Sequence, residues 1–331
     1  MPDLSTHYMG LSLKNPLIAG SSGLTAQIDT IKELAIQGVG AVVLKSVFEE
    51  DLVCNSDKQK TFSQYPKSLK QHEHVGTWSR HVNMTEYLRL IERCKQEVDI
   101  PIIASINCVS SFEWMSFARR IESSGADALE LNFFVPPSDP MKSSEDIEKV
   151  YFDVLTELMR VVKLPLAVKI SPYFSGMTKM ALKLSWTGIA GMVLFNRYYV
   201  PDIDIDTIKV IHGPKLSHPE EIYLPLRWTA LLSDRVMCDI AAATGVHDSQ
   251  GMIKMILAGA KAVQVTSAFY KNGPAYANLM LKGLEAWMTE HEFDSIKSFC
   301  GKLSLKKSDN PATYERFQYL SNFGGFENDE S

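Results

Sequence analysis

The chain has 331 residues, 45% of them hydrophobic and 22% charged, which is enough to bury a large core. A net charge of −5 supplies no basic field for a polyphosphate backbone, which argues against nucleic acid as a main partner, and no apolar stretch approaches membrane-spanning length. The five cysteines are odd in number and lack CxxC spacing, which argues against a disulfide framework or a zinc knuckle. The opening "MPDLSTHYMG" lacks the basic and apolar runs of a signal peptide, so a reducing cytoplasm is expected.

In chain order, eight short apolar runs predict strands: "LIAGSS" (17–22), "AVVLKS" (41–46), "PIIASIN" (101–107), "ALELNFF" (128–134), "PLAVKIS" (165–171), "GMVLFN" (191–196), "VMCDIAA" (236–242) and "AVQVTSA" (262–268). Their continuous apolar character fits strands covered on both faces, as in parallel sheets. Between them lie segments of helical period, among them "AQIDTIKELAIQG", "SFEWMSFARRIESSG", "SSEDIEKVYFDVLTELMRVVK" and "SQGMIKMILAGA", several closing on glycine. Eight alternations predict an α/β fold of the (β/α)₈ TIM-barrel type. A doubly wound sheet is the alternative, and the absence of GxGxxG after the first strand counts against it.

Two connections are too long for simple loops, residues 47 to about 83 after strand two and 197 to about 219 after strand six. Both are candidate lids or oligomer contacts. No linker divides the chain, so residues 1–331 are read as one barrel domain, and the polar tail "GGFENDES" is expected to fray.

Barrel active sites are built at the carboxyl ends of strands. There the runs place Lys45 and Ser46, Asn107, Asn132, Lys169 and Ser171, Asn196, and Thr266 and Ser267. Two lysines inside apolar strands are the sharpest signal, because an unpaired ammonium in a core costs several kcal/mol. Each either faces an anionic group in a pocket, neutralises a structural carboxylate, or snorkels to the rim. The asparagines suit a planar, amide-rich ligand, although any one alone reads as a cap. "AAATGVHDSQGM" and "QVTSAF" offer Gly245, hydroxyls and free helix N–H groups where such barrels commonly bind phosphate.

These segments resemble the FMN-binding barrels of dihydroorotate dehydrogenase and the flavin domain of dihydropyrimidine dehydrogenase. "LSLKNPLIAGSSG" is similar to the family's N-terminal ribbon and first strand, and "VVLKSVFEED" to its second. "IIASINCVSSFEWMSFARRIESSGADALELN", "LAVKISPYF", "LFNRYY" and "ATGVHDSQGMIKMILAGAKAVQVTSAF" follow in the family's order. The resemblance implies an FMN-dependent oxidoreductase moving hydride between a CH–CH bond and flavin N5, as in dihydroorotate to orotate conversion in pyrimidine biosynthesis. It implies that Gly20, Ser21 and Ser46 line the flavin, and that Lys45 lies beside its ring and the substrate. Asn107 and Asn132 would bond ring or substrate, Lys169 would lie by N1 and O2, Asn196 would bind substrate, and Gly245, Thr266 and Ser267 would hold the phosphate. Lys45, Asn132 and Asn196 form the implied catalytic set. The implied partners are a pyrimidine-like substrate and a small-molecule or protein electron acceptor, with a homodimer as an option; no metal is implied.

The chain departs from that pattern where the proton is handled. The family loop reads approximately L-N-L-S-C-P-N, or serine for cysteine, and here it is "LNFFVPP". Valine at 135 cannot accept a proton. Pro137 replaces Asn or His, Arg197 replaces a small hydroxyl residue, and the N-S-M-G-L-P-N stretch is not recognisable between residues 47 and 83. Ser138, Asp139, Tyr198, Tyr199, His72 and His74 are candidate substitutes, although Asp139 reads more simply as a turn residue before Pro140 and Cys108 as a packing thiol. A different substrate, with Arg197 facing an anion, and a catalytically silent flavin protein are the alternatives.

Overall fold

The computed structural model describes residues 1–48, 84–107, 111–135, 137–198, 200–309 and 311–315. An antiparallel ribbon, β1 (Thr6–Tyr8) and β2 (Leu11–Leu13), precedes the main sheet. Met9 and Gly10 make its two-residue turn with φ of 56° and 76°, the left-handed pair that a tight hairpin requires. The main strands follow: β3 (Leu17–Ala19), β4 (Ala41–Val43), β5 (Val47–Phe48), β6 (Ile102–Asn107), β7 (Ala128–Asn132), β8 (Leu166–Ile170), β9 (Gly191–Leu194), β12 (Asp239–Ala243) and β13 (Ala262–Val265). All eight apolar runs become strands of one parallel sheet. It closes because β3 and β4 pair, β4 pairs β6, and β13 returns to β3. The (β/α)₈ expectation therefore holds, and β5 is a short extension against the end of β6.

Helices cover the outside: α1 (Ile28–Ile36), α2 (Met84–Glu97), α3 (Ser111–Ser123), α4 (Ser144–Val161), α5 (Met177–Ser185), α6 (Tyr223–Leu232), α7 (Ser249–Ala258), α8 (Ser267–Asn272), α9 (Tyr276–Glu290) and α10 (Ile296–Phe299). Local signals set their ends. Ser143 and Asp146 form a capping box on α4, Asp248 accepts from Gly251 N at the start of α7, and Gly259 closes α7 with φ 114°. No helix among the described residues is long and apolar enough to cross a membrane.

Strand residues alternate between the helical layer and the barrel interior. The interior floor is made of small side chains, Ala41, Ala128, Ala167, Ala241 and Ala262, with Ile18, Val43, Ile103 and Val193. This leaves room for the ribbon, whose Tyr8 and Met9 plug the floor at 1% exposure each. Gly191 makes the same allowance, since a Cβ there would lie 2.8 Å from Met9 Cγ and 2.9 Å from the Tyr8 hydroxyl. Asp239 fixes the plug by accepting from Met9 N at 2.9 Å. With the amino end sealed, ligand access is confined to the carboxyl face.

The connection after strand six forms an exposed hairpin, β10 (Pro201–Asp204) and β11 (Lys209–His212), and returns through residues 213–218 to the barrel mouth. Most of the long connection after strand two, including His72 and His74, lies outside the described residues, as do Cys108, Pro136, Tyr199 and the tail.

Candidate active site

One step toward the carboxyl face from the alanine floor, the interior becomes polar. Ser105, Glu130, Lys169 and Gln264 occupy inward positions two residues beyond Ile103, Ala128, Ala167 and Ala262 respectively. Lys169 Nζ donates to Gln264 Oε1 at 2.9 Å, Gln264 Nε2 donates to Glu130 Oε2 at 2.6 Å, and Lys169 Nζ stands 3.8 Å from Glu130 Oε1. Glu130 is 1% exposed, so its charge is offset inside the barrel. Of the readings open for Lys169, both the pocket and the structural carboxylate hold: it lines the cavity above and meets Glu130 below.

The next level is a chain of short side chains contributed by five strands. Ser46 N donates to Ser21 Oγ at 2.9 Å, and Ser46 Oγ lies 2.7 Å from Ser105 Oγ. Asn132 Nδ2 donates to Ser46 Oγ at 3.2 Å, and Asn196 Nδ2 donates to Asn132 Oδ1 at 2.6 Å. The structure thus joins Ser21, Ser46, Asn132 and Asn196, which sequence reading took separately. Tyr87 of α2 braces Ser105 from outside, donating to its carbonyl and accepting from its N–H. Asn107 is 6% exposed, and its buried Nδ2 has no hydrogen-bond partner among the described residues. Lys45, next to Ser46 in the chain, is half-buried.

A cavity of about 690 Å³ runs from Lys169, Gln264 and Asn196 to Ser217, Gly245, Thr266 and Ser267. Its far end is a cradle. Thr244 and Gly245 both take φ 77°, and a Cβ on Gly245 would lie 2.6 Å from the carbonyl carbon of Glu221, so the backbone approach requires glycine. Gly20 is held likewise: a Cβ there would meet Thr266 Oγ1 at 2.6 Å. Ser217, from the returning arm of the hairpin loop, donates its N–H to Ser267 Oγ at 2.9 Å. Its own Oγ lies 3.1 Å from His247 Nε2. Lys271 caps the Ser217 carbonyl at 3.3 Å. Burial, then the neighbouring Lys271 ammonium, pushes the His247 imidazole below its ordinary value. Hydroxyls, a lysine and an imidazole around a glycine turn suit a phosphate dianion.

The loop after β7 explains the apolar turn of "LNFFVPP". Phe133 leaves the barrel and stacks between Trp114 and Tyr151, with ring centres 4.9 and 4.5 Å away, which anchors the loop to α3 and α4. Phe134 then projects, 52% exposed, against Tyr198 at 4.4 Å, and Val135 is half-buried. Asp139 is exposed and accepts from Met141 N at 3.0 Å, the turn role weighed for it, and Ser138 is exposed beside it. The buried Tyr198 hydroxyl faces Ser171 and the backbone of Val135, and burial pushes its phenol up. Such a phenol stays protonated at neutral pH and is no base for a substrate proton. Arg197 lines the cavity and is also tied to the hairpin loop: Nε meets Glu221 Oε2 at 2.8 Å, and Nη1 donates to the Pro214 and Lys215 carbonyls at 3.0 and 3.4 Å, which holds down the returning arm.

Sequence reading passed over Glu130, Gln264, Ser105, Ser217 and His247. The first three were legible, since each shares strand parity with a residue already singled out. Ser217 and His247 meet only through the fold.

A plugged barrel with a carboxyl-face cavity, Lys169 at its base and a hydroxyl-lined glycine turn at its far end has the layout of a barrel enzyme's active site. A sequence model of the dihydroorotate dehydrogenase family matches residues 3–288, and the chain belongs to that family of flavoprotein oxidoreductases. It is similar to two proteins named dihydroorotate dehydrogenase B (NAD(+)), catalytic subunit. One is from Thermoplasma volcanium, 28% identical over 310 residues covering 91% of this chain and 98% of that protein. The other is from Pyrococcus furiosus, 26% identical over 305 residues covering 90% and 98%.

Proposed function

We propose that the cavity holds FMN and that the protein moves hydride between a CH–CH bond of a pyrimidine-like ring and flavin N5, in the manner of dihydroorotate oxidation to orotate. Bound FMN would supply the two-electron acceptor. The observation that carries this reading is the single cavity joining Lys169 to the Gly245, Thr266 and Ser267 cradle. Lys169 is placed to stabilise negative charge at the N1 and O2 edge, and Asn107 has an amide donor to give a ring carbonyl. Gly20, Ser21 and Ser46 line the ring, Lys45 lies where ring and substrate meet, and Asn132 and Asn196 orient the substrate through their shared hydrogen bond. The names of the relatives include NAD(+) and a catalytic subunit, which supports an electron acceptor reached through a partner protein.

A second reading keeps FMN and changes the substrate. Val135 and Pro137 remove the family's proton acceptor and its following polar group, and Arg197 is tied to Glu221 instead of standing free. Purified protein reconstituted with FMN and mixed anaerobically with dihydroorotate separates the two: rapid bleaching of the flavin band supports the first, and a stable oxidised spectrum supports the second. Protein that acquires no flavin spectrum overturns both.

A further inference from the structure

Glu130 is a buried carboxylate with no part in the chemistry so far. Its surroundings are inward groups of the same barrel level and the plug below: Lys169, Gln264 and the Tyr8 phenol. Oε2 accepts from Gln264, while Oε1 faces Lys169 and has no hydrogen bond among the described residues. A barrel interior gains little stability from such an arrangement, because apolar side chains of similar volume commonly replace buried ion pairs without loss. The alanine and valine floor immediately beneath shows that this interior packs without charge. What distinguishes Glu130 from a structural charge is its place behind Lys169, which lines the ligand cavity with only 12% of its side chain exposed.

We propose that Glu130 is a positioning residue for Lys169, a buried counter-charge linked through Gln264 that sets how much positive charge the flavin experiences. The inference rests on the FMN reading above. Hydride uptake adds two electrons and one proton to the flavin, leaving one added negative charge to be stabilised. An isolated Lys169 would favour that state with a full positive charge, whereas Lys169 with Glu130 is a neutral pair. Glu130 therefore lowers the flavin's reduction potential, which eases onward delivery of electrons to the acceptor. Gln264 completes the device: its carbonyl oxygen holds the ammonium at 2.9 Å while its amide occupies the carboxylate, keeping Lys169 at 3.8 Å from Glu130 and available above.

The test is the midpoint potential of the FMN-loaded protein, measured by anaerobic titration against a reference dye. Glu130→Gln, which keeps shape and removes charge, is expected to raise the potential. Gln264→Met removes the spacer, lets Lys169 close on the carboxylate, and is expected to lower it. A purely structural pair gives no such opposition of sign. An unchanged potential in a folded, FMN-bound Glu130→Gln protein overturns the proposal, as does movement of both variants in one direction. Should Glu130→Gln fail to fold, Gln264→Met decides alone, with an unchanged or raised potential counting against it. Failure of the wild-type protein to bind FMN would defeat the cofactor reading instead, so the two failures are distinguishable.

Discussion

Lys169→Met removes one charge from the buried pair and leaves the other in place. The separation is 3.8 Å, with the two side chains 12% and 1% exposed. At that distance and an effective dielectric constant of about 20, the attraction is ~4 kcal/mol. Removing one member of a buried pair costs about 3–5 kcal/mol because its partner stays buried. Gln264 Nε2 still donates to Glu130 Oε2 in the variant, so the expected loss of stability lies near ~3 kcal/mol. Glu130→Gln costs less, about 1–2 kcal/mol, because the ammonium keeps the Gln264 carbonyl. The double variant strands no charge, and its loss should fall short of the sum by ~2 kcal/mol. Urea unfolding of wild type, both single variants and the double variant, at equal FMN saturation, measures this coupling. Additive losses, to within about 0.5 kcal/mol, would refute the claim that the two groups form a pair.

Gly245→Ala should cost at least ~1–2 kcal/mol from its φ of 77° and push the Glu221 backbone away from the cradle, so that FMN binding falls in a fluorescence titration while the barrel still folds. Tyr198→Phe should leave the rate of flavin reduction by a dihydro-substrate within about tenfold of wild type, since a buried phenol does not accept the proton; a larger loss in stopped flow would make Tyr198 the base. Val135→Cys should raise the rate of bleaching by dihydroorotate by about 10²-fold if the missing acceptor alone limits that reaction, and no gain would favour the changed-substrate reading. His247 is held below its ordinary 6.5, so its contribution to stability is complete above that pH and is lost as pH falls through the window beneath it; His247→Gln should flatten that part of the unfolding profile.

The barrel was readable because its strands are buried on both sides and therefore appear as apolar runs, most of them with a polar residue near the carboxyl end. Lys45 and Lys169 stood out for the same reason, a charge in an apolar run. Glu130 lies in such a run too, in "ALELN", two residues before Asn132, and alternation alone places it inside the barrel. The cradle was only half legible. Gly245, Thr266 and Ser267 sit at strand ends, but Ser217 arrives from a hairpin loop whose return path is set by Arg197 on Glu221, a contact across 24 positions that no local pattern encodes.

The departures from the family pattern that the sequence resembles fall on one half of the site, and the fold gives a physical reason. The groups assigned to the flavin stand on strand ends or on turns where an added Cβ meets backbone or a fixed side chain, as at Gly245 and Gly20, so replacement there disturbs the barrel itself. The positions assigned to proton transfer and substrate selection lie beyond Asn132 and Asn196, on loops secured by other residues: Phe133 wedged between Trp114 and Tyr151, and Arg197 bound to Glu221. With the loops anchored independently, residue 135 can change from an acceptor to valine without moving Asn132. A change confined to residue 135 would alter the proton step and leave hydride geometry intact. Positions 134, 137 and 197 lie on the same two loops beyond Asn132 and Asn196, so under the flavin reading changes there bear on the substrate and leave the cofactor's residues in place.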